Sequence, residues 1–114
     1  MRYIPRQQEA KIRKALARGK SVLLLGARQT GKTTLIHRLR SDLAISLVRP
    51  DVRQRYEKNP ALLTGEVEAL AVRRGSRPPL GLLDEIQRVP DLLDAVQDLI
   101  DRGKACFVLT GSSA

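Results

Sequence analysis

Apolar residues in this chain come in two textures, short unbroken runs and stripes at helical spacing, and the two alternate along the sequence. The unbroken runs are Ser21 to Leu25, Ala44 to Val48, Leu80 to Leu83 and Ala105 to Leu109. Runs of this length with no polar alternation predict strands buried on both faces. The helical stretches lie between them. Arg6 to Arg18 follows Pro5, places Ile12 and Leu16 four apart, and stops at Gly19. Lys32 to Arg40 gathers Leu35, Ile36 and Leu39 on one side. The polar stretch from Arg49 to Gly75, broken by Pro50, Pro60 and Gly65, predicts short helices over Asp51 to Lys58 and Glu66 to Arg73. Pro90 opens a helix with the stripe Leu92, Leu93, Val96, Leu99 and Ile100, and Gly103 follows its end. Gly75 to Pro79 is a loop by composition. Strand alternating with helix predicts an α/β fold around a parallel sheet with right-handed crossovers.

Composition narrows this picture only slightly. The chain has 114 residues, room for one small domain, and 42% apolar residues are enough for a core. Aromatics make up 3%, so that core is aliphatic. No apolar run approaches the ~20 residues that cross a bilayer, and the opening Met1-Arg2-Tyr3-Ile4-Pro5 lacks the apolar stretch of a secretory signal. Cys106 is the single cysteine, set in an apolar run, and reads as a buried inert thiol. A reducing cytoplasm is the expected setting. The net charge of +9 leaves nucleic acid open as a partner. The basic residues are spread along the chain with no stacking aromatics between them, so charge alone does not decide the function.

One segment carries specific chemistry. Gly26-Ala27-Arg28-Gln29-Thr30-Gly31-Lys32-Thr33 fits the phosphate-loop pattern at every fixed position. Average composition yields such a match by accident on the order of a few times per thousand chains of this length. Here it also follows an apolar strand and opens a helix, as phosphate binding requires. Glycines let consecutive N–H groups and the helix N-terminus close on phosphate oxygens. Lys32 supplies positive charge for the β- and γ-phosphates, Thr33 a hydroxyl for magnesium, and Thr34 a reach to the α-phosphate. The alternative is a glycine turn before an ordinary helix.

Two further strand ends point to the same place. Leu80 to Leu83 ends on Asp84-Glu85, and in open α/β sheets ligands sit beyond the carboxyl ends of the strands. Asp84 is then placed to hold the magnesium shell, and Glu85 to accept a proton from the attacking water. Phe107-Val108-Leu109 runs into Thr110-Gly111-Ser112-Ser113, where Thr110 or Ser112 is placed to hydrogen-bond the γ-phosphate or that water, or simply to cap the next turn. Gln87 and Arg88 follow the acids closely enough to line the site. His37 has no second histidine and no cysteine near it with which to hold a metal.

Gly26 to Thr34, the run Leu83-Asp84-Glu85-Ile86-Gln87-Arg88-Val89-Pro90 and the ending Leu109-Thr110-Gly111-Ser112-Ser113-Ala114 together resemble the AAA-type ATPases of bacteria and archaea that carry a C-terminal domain of unknown function. The resemblance covers nearly the whole chain, including Ile4-Pro5-Arg6. It implies a three-layer P-loop fold binding ATP and Mg2+, with Lys32, Thr33 and Asp84 as nucleotide and magnesium contacts, Glu85 as base, and Thr110 or Ser112 as sensor. It also implies that residues 1–114 are the front of an AAA domain whose fifth strand, arginine finger, lid and final domain follow, with homo-oligomers open to the complete protein. Family members often carry acids just after the second strand, where Val48-Arg49-Pro50-Asp51 offers one. The expected order sets the third strand between the second and fourth, and the first beyond the fourth. Ser21 to Leu25 then becomes an unpaired edge, and self-association of the 114 residues is expected.

Other readings compete. A small P-loop kinase shares the phosphate loop, but an acid beside the magnesium ligand activates water rather than a separate acceptor. A basic nucleotide- or DNA-binding module without turnover fits the charge. A GTPase would need an Asn-Lys-x-Asp-type motif and an ABC subunit a Leu-Ser-Gly-Gly-type signature; neither is in the sequence.

Overall fold

Parallel pairing of the apolar runs builds one sheet. The computed structural model describes residues 2–3, 9–25, 40–74 and 78–111. Its elements are β1 (Arg2–Tyr3), α1 (Glu9–Ala17), β2 (Val22–Leu25), β3 (Leu43–Ser46), α2 (Pro50–Lys58), α3 (Ala61–Arg74), β4 (Leu80–Asp84), a 3-10 turn (Ile86–Arg88), α4 (Asp91–Asp101) and β5 (Cys106–Gly111). The strand order is β1-β2-β5-β4-β3, and every pair is parallel. The four strands read from the sequence therefore take the expected order. The phosphate loop Gly26 to Thr34, most of the helix expected from Lys32 to Arg40, and Ser112 lie outside the described residues.

The side-chain period of two divides the core between the two faces of the sheet. Leu83, Phe107 and Leu109 face a cluster with Tyr56, Leu63, Val67, Leu92, Val96 and Leu99 from α2, α3 and α4. Val22, Leu24, Leu82 and Val108 face the other way, onto Ile12 and Ala15 of α1. All six residues of β5 are buried, as its central place requires.

Three expectations need correction. Ser21 to Leu25 is not an open edge throughout, because Arg2 and Tyr3 pair with Val22 and Leu23. α3 runs from Ala61 rather than Glu66, passing through Gly65. Leu63 and Val67, four apart and both buried, anchor the helix across that glycine, whose propensity cost of about 1 kcal/mol is smaller than their burial. Leu93 is 41% exposed and stands off the apolar stripe of α4, whose buried members are Leu92, Val96 and Leu99, with Ile100 partly buried against the same cluster. A 4-then-3 spacing holds these three on one line, and Leu93 sits about 100° round from Leu92.

Gly81 matters for packing rather than for a turn. A Cβ there would lie 2.8 Å from Cε1 and 2.9 Å from Cδ1 of Phe107, the buried ring directly beside it in the β4–β5 register. Gly81→Ala should therefore cost about 1–3 kcal/mol by overpacking. Urea unfolding of the two chains measures it, and equal midpoints would show that the ring shifts freely.

Candidate functional site

The carboxyl ends of β2, β5 and β4 lie side by side, and the residues singled out in the sequence emerge from them. β2 ends at Leu25, directly before Gly26, and Leu25 is in register with Gly111 of β5. Leu83 pairs with Leu109, so Asp84 and Thr110 come out next to each other. The Thr110 hydroxyl donates to Asp84 Oδ1 and accepts the Glu85 backbone N–H at 3.1 Å. Thr110 is buried, and Asp84 is partly buried.

Glu85 leaves the strand in a left-handed conformation, φ 58° and ψ 52°, and is the one described non-glycine residue with positive φ. Such a conformation costs a side-chain-bearing residue of order 1–2 kcal/mol. The next turn helps hold it. The Arg88 N–H donates to the Glu85 carbonyl at 3.1 Å, while Ile86 and Val89 are buried in the core. The strain aims an acid where the chain would otherwise continue as strand. Glu85 is 2% exposed, an unusual place for a carboxylate, and Gln87 Nε2 donates to its Oε1 at 3.4 Å. Gln87, read only as lining the site, thus touches the proposed base.

The sequence offers Thr110 either as a contact for the γ-phosphate or its attacking water or as a cap of the next turn. A hydroxyl has one proton to donate, and in this arrangement it goes to Asp84. The residue thereby ties the Asp84 carboxylate to the Glu85 backbone. Thr110→Val should strand the buried Glu85 N–H and cost about 1–3 kcal/mol. Thr110→Ser, keeping the hydroxyl, should cost less than half as much in the same urea titration. Equal losses would mean that the methyl group, not the hydroxyl, matters.

Arg88 carries the one buried side-chain nitrogen or oxygen without a partner among the described residues, its Nε. Asp51, the acid after the second strand, is exposed at the start of α2 and ion-paired with Arg49 at 3.3 Å. Cys106 lies away from this end. Its Sγ donates to the Lys20 carbonyl at 3.1 Å, and burial pushes the thiol above its ordinary pKa, as an inert cysteine requires.

No group of three or more His, Cys, Asp or Glu able to cage a metal occurs among the described residues. Magnesium bound with phosphates does not need one, since it takes one or two carboxylates and keeps several waters. Asp84, partly buried at a strand end, fits that role. No helix among the described residues is long and apolar enough to cross a membrane.

The chain is 37% identical over 111 residues to the uncharacterized protein Rv2008c of Mycobacterium tuberculosis and, equally, to the uncharacterized protein Mb2031c of Mycobacterium bovis. Each alignment takes in 96% of this chain but 23% of the relative, so the chain spans about a quarter of the length of these curated proteins. No solved structure gives a significant match. Residues 18–114 match the family described as an AAA domain, which takes in the phosphate-loop sequence and all three strand ends of the site. With that match on a parallel α/β sheet, the chain belongs to the AAA-type P-loop ATPases, a family of nucleotide-binding domains.

Proposed function

We propose that the carboxyl end of the sheet binds ATP with magnesium, and that the complete protein hydrolyses it. The observation that carries this reading is the convergence of Leu25, Asp84, Glu85 and Thr110 on neighbouring strand ends. Two strand spacings, roughly 10 Å, separate the exit of β2 from that of β4. That distance suits a triphosphate lying between the loop that begins at Gly26 and the acids at Asp84 and Glu85.

In this reading Gly26, Ala27, Arg28, Gln29, Thr30 and Gly31 wrap the phosphates with backbone N–H groups. Lys32 neutralises the β- and γ-oxygens, and Thr34 reaches the α-phosphate. Thr33 and Asp84 would hold the magnesium, which when bound offsets the negative charge gathering on the phosphates. Glu85 takes the proton of the attacking water. Thr110 positions both acids, and Ser112 is the remaining candidate for the γ-phosphate contact. Such a site works by placement and charge, since phosphoryl transfer needs little covalent help.

The same reading makes residues 1–114 the nucleotide-binding front of a larger cytoplasmic protein that assembles with copies of itself. The 23% coverage of the mycobacterial relatives supports the larger size. Equilibrium titration with a fluorescent ATP analogue, with and without magnesium, tests the core claim on this chain directly. Magnesium-dependent binding displaced by ATP is expected. Binding unaffected by excess ATP would end the proposal. Release of phosphate by the complete protein without an added acceptor separates an ATPase from a kinase.

A further inference from the structure

Cations converge on the end of the sheet opposite the proposed nucleotide site. Because every strand is parallel, all strand starts lie at one pole, together with the C-terminal ends of the helices that feed them. α1 leads into β2, α3 into β4 and α4 into β5. Lys14 and Arg18 close α1, and Arg73 closes α3. Lys20 stands two residues before β2, Arg40 three before β3, and Lys104 two before β5. All six are exposed. The Cys106 Sγ contact to the Lys20 carbonyl brings Lys20 beside the start of β5. The Asp42 N–H, donated to the Leu80 carbonyl at 2.8 Å, ties the approach to β3 onto β4.

None of these six cations has an ion pair among the described residues. At the start of α2, near the other pole, the basic residues are matched: Arg49 by Asp51 and Arg53 by Glu57. The acids near the amino pole are largely engaged. Asp42 accepts the Leu80 N–H, Asp98 pairs with Arg102, and Asp101 accepts from Gln97. The donors to Asp42 and Asp101 are neutral and do not cancel a carboxylate's charge, so these two acids and Glu68, which shares a shallow depression with Lys104, offset part of the six cations. Helix dipoles account for part of the pattern, since cations favour helix C-termini. That explains Lys14, Arg18 and Arg73. The same preference reaches Lys20 and Lys104, whose N–H groups donate to the Ala15 and Leu99 carbonyls in the last turns of α1 and α4; it accounts for where these cations stand, not for their lack of acidic partners.

We propose that this amino pole is a docking surface for the phosphate backbone of double-stranded nucleic acid, read without regard to sequence. A single strand is disfavoured because the described aromatic side chains, Phe107 and Tyr56, are both buried in the core and offer no stacking platform. A membrane surface would call for aliphatic or aromatic anchors, and among the described residues Val72 is the strongly exposed aliphatic near this end. The columns of β2, β5, β4 and β3 span three strand spacings, roughly 14 Å. That is comparable with the ~12 Å major groove whose phosphate rims such a surface would bridge. The surface is separate from the nucleotide site, so the two can be occupied together.

Fluorescence anisotropy of the 114-residue chain with a labelled 20-base-pair duplex tests this, in buffers free of nucleotide and magnesium. With about four phosphates neutralised, log K should fall with log salt at a slope of roughly −3.6. Lys20→Glu with Lys104→Glu should weaken binding at least tenfold at low salt and flatten the slope by about 2. Arg49→Glu with Arg53→Glu makes the same change in net charge near the other pole and should do neither. Circular dichroism confirms folding of each variant, and Lys14→Gln with Arg18→Gln replaces the first pair if that pair unfolds. A flat salt response, equal losses in the pole and control variants, or displacement of duplex by polyglutamate or anionic vesicles as effectively as by unlabelled duplex would each overturn the proposal.

Discussion

Lys32→Ala should remove nucleotide binding from the range a micromolar titration can follow. The loop from Gly26 to Thr34 holds Arg28 and Lys32 as its basic residues, and Lys32 occupies the fixed lysine position of the phosphate-loop pattern. Truncating one partner of a desolvated charge pair costs about 2–5 kcal/mol, roughly a 30- to 4,000-fold loss of affinity. Arg28 sits in the variable part of the loop and is not expected to compensate. The fluorescent ATP analogue serves as probe, and Lys32→Arg is the informative companion. An arginine keeps the charge but not the compact ammonium, so it should recover only part of the affinity. An alanine variant that binds as tightly as the parent would remove the phosphate loop from the reading altogether.

In the complete protein, Glu85→Gln should bind ATP normally yet turn it over ~100-fold or more slowly, the scale expected when a general base is lost. Glutamine is nearly isosteric and can keep the left-handed turn and the contact with Gln87, so the loss falls on proton transfer. Asp84→Asn should behave differently. It removes the carboxylate proposed for the magnesium shell and disturbs the Thr110 hydroxyl that now donates to it. The magnesium dependence of binding should therefore weaken, with stability lowered as well. The pair is thus separable by measurement: turnover at saturating ATP reports Glu85, and affinity against magnesium concentration reports Asp84. Wild-type turnover in both variants would show that this strand end is not the hydrolytic site.

Much of this molecule was legible from its pattern of residues. Unbroken apolar runs must be buried on both faces, and helices between them force parallel pairing, so the class of fold and the carboxyl-end location of Asp84, Glu85 and Thr110 follow from local physics. The phosphate-loop pattern of Gly26 to Thr33 lies outside the described residues, and its reading rests on a different kind of signal. Its chemistry needs particular residue types at fixed spacing, so the spacing itself is the signal. Element limits were less secure. Gly65 reads locally as a helix breaker, and only the burial of Leu63 and Val67 against the sheet carries α3 through it.

What the tertiary structure alone decided are contacts between residues far apart in the chain. No local rule pairs Arg2 and Tyr3 with Val22 and Leu23, because strand partnership depends on which edge is left open. Nor does the sequence show that the Thr110 hydroxyl bridges Asp84 and the Glu85 N–H, 25 residues away in sequence, since a register of neighbouring strands must first bring them together. The left-handed turn at Glu85 is likewise invisible in a motif. It exists because Ile86 and Val89 are drawn into the core on one side while Thr110 fixes the backbone on the other. The gathering of Lys20, Arg40 and Lys104 has the same origin. Spread along the sequence, they look like ordinary surface charge, and parallel strands set their starting points side by side at one pole.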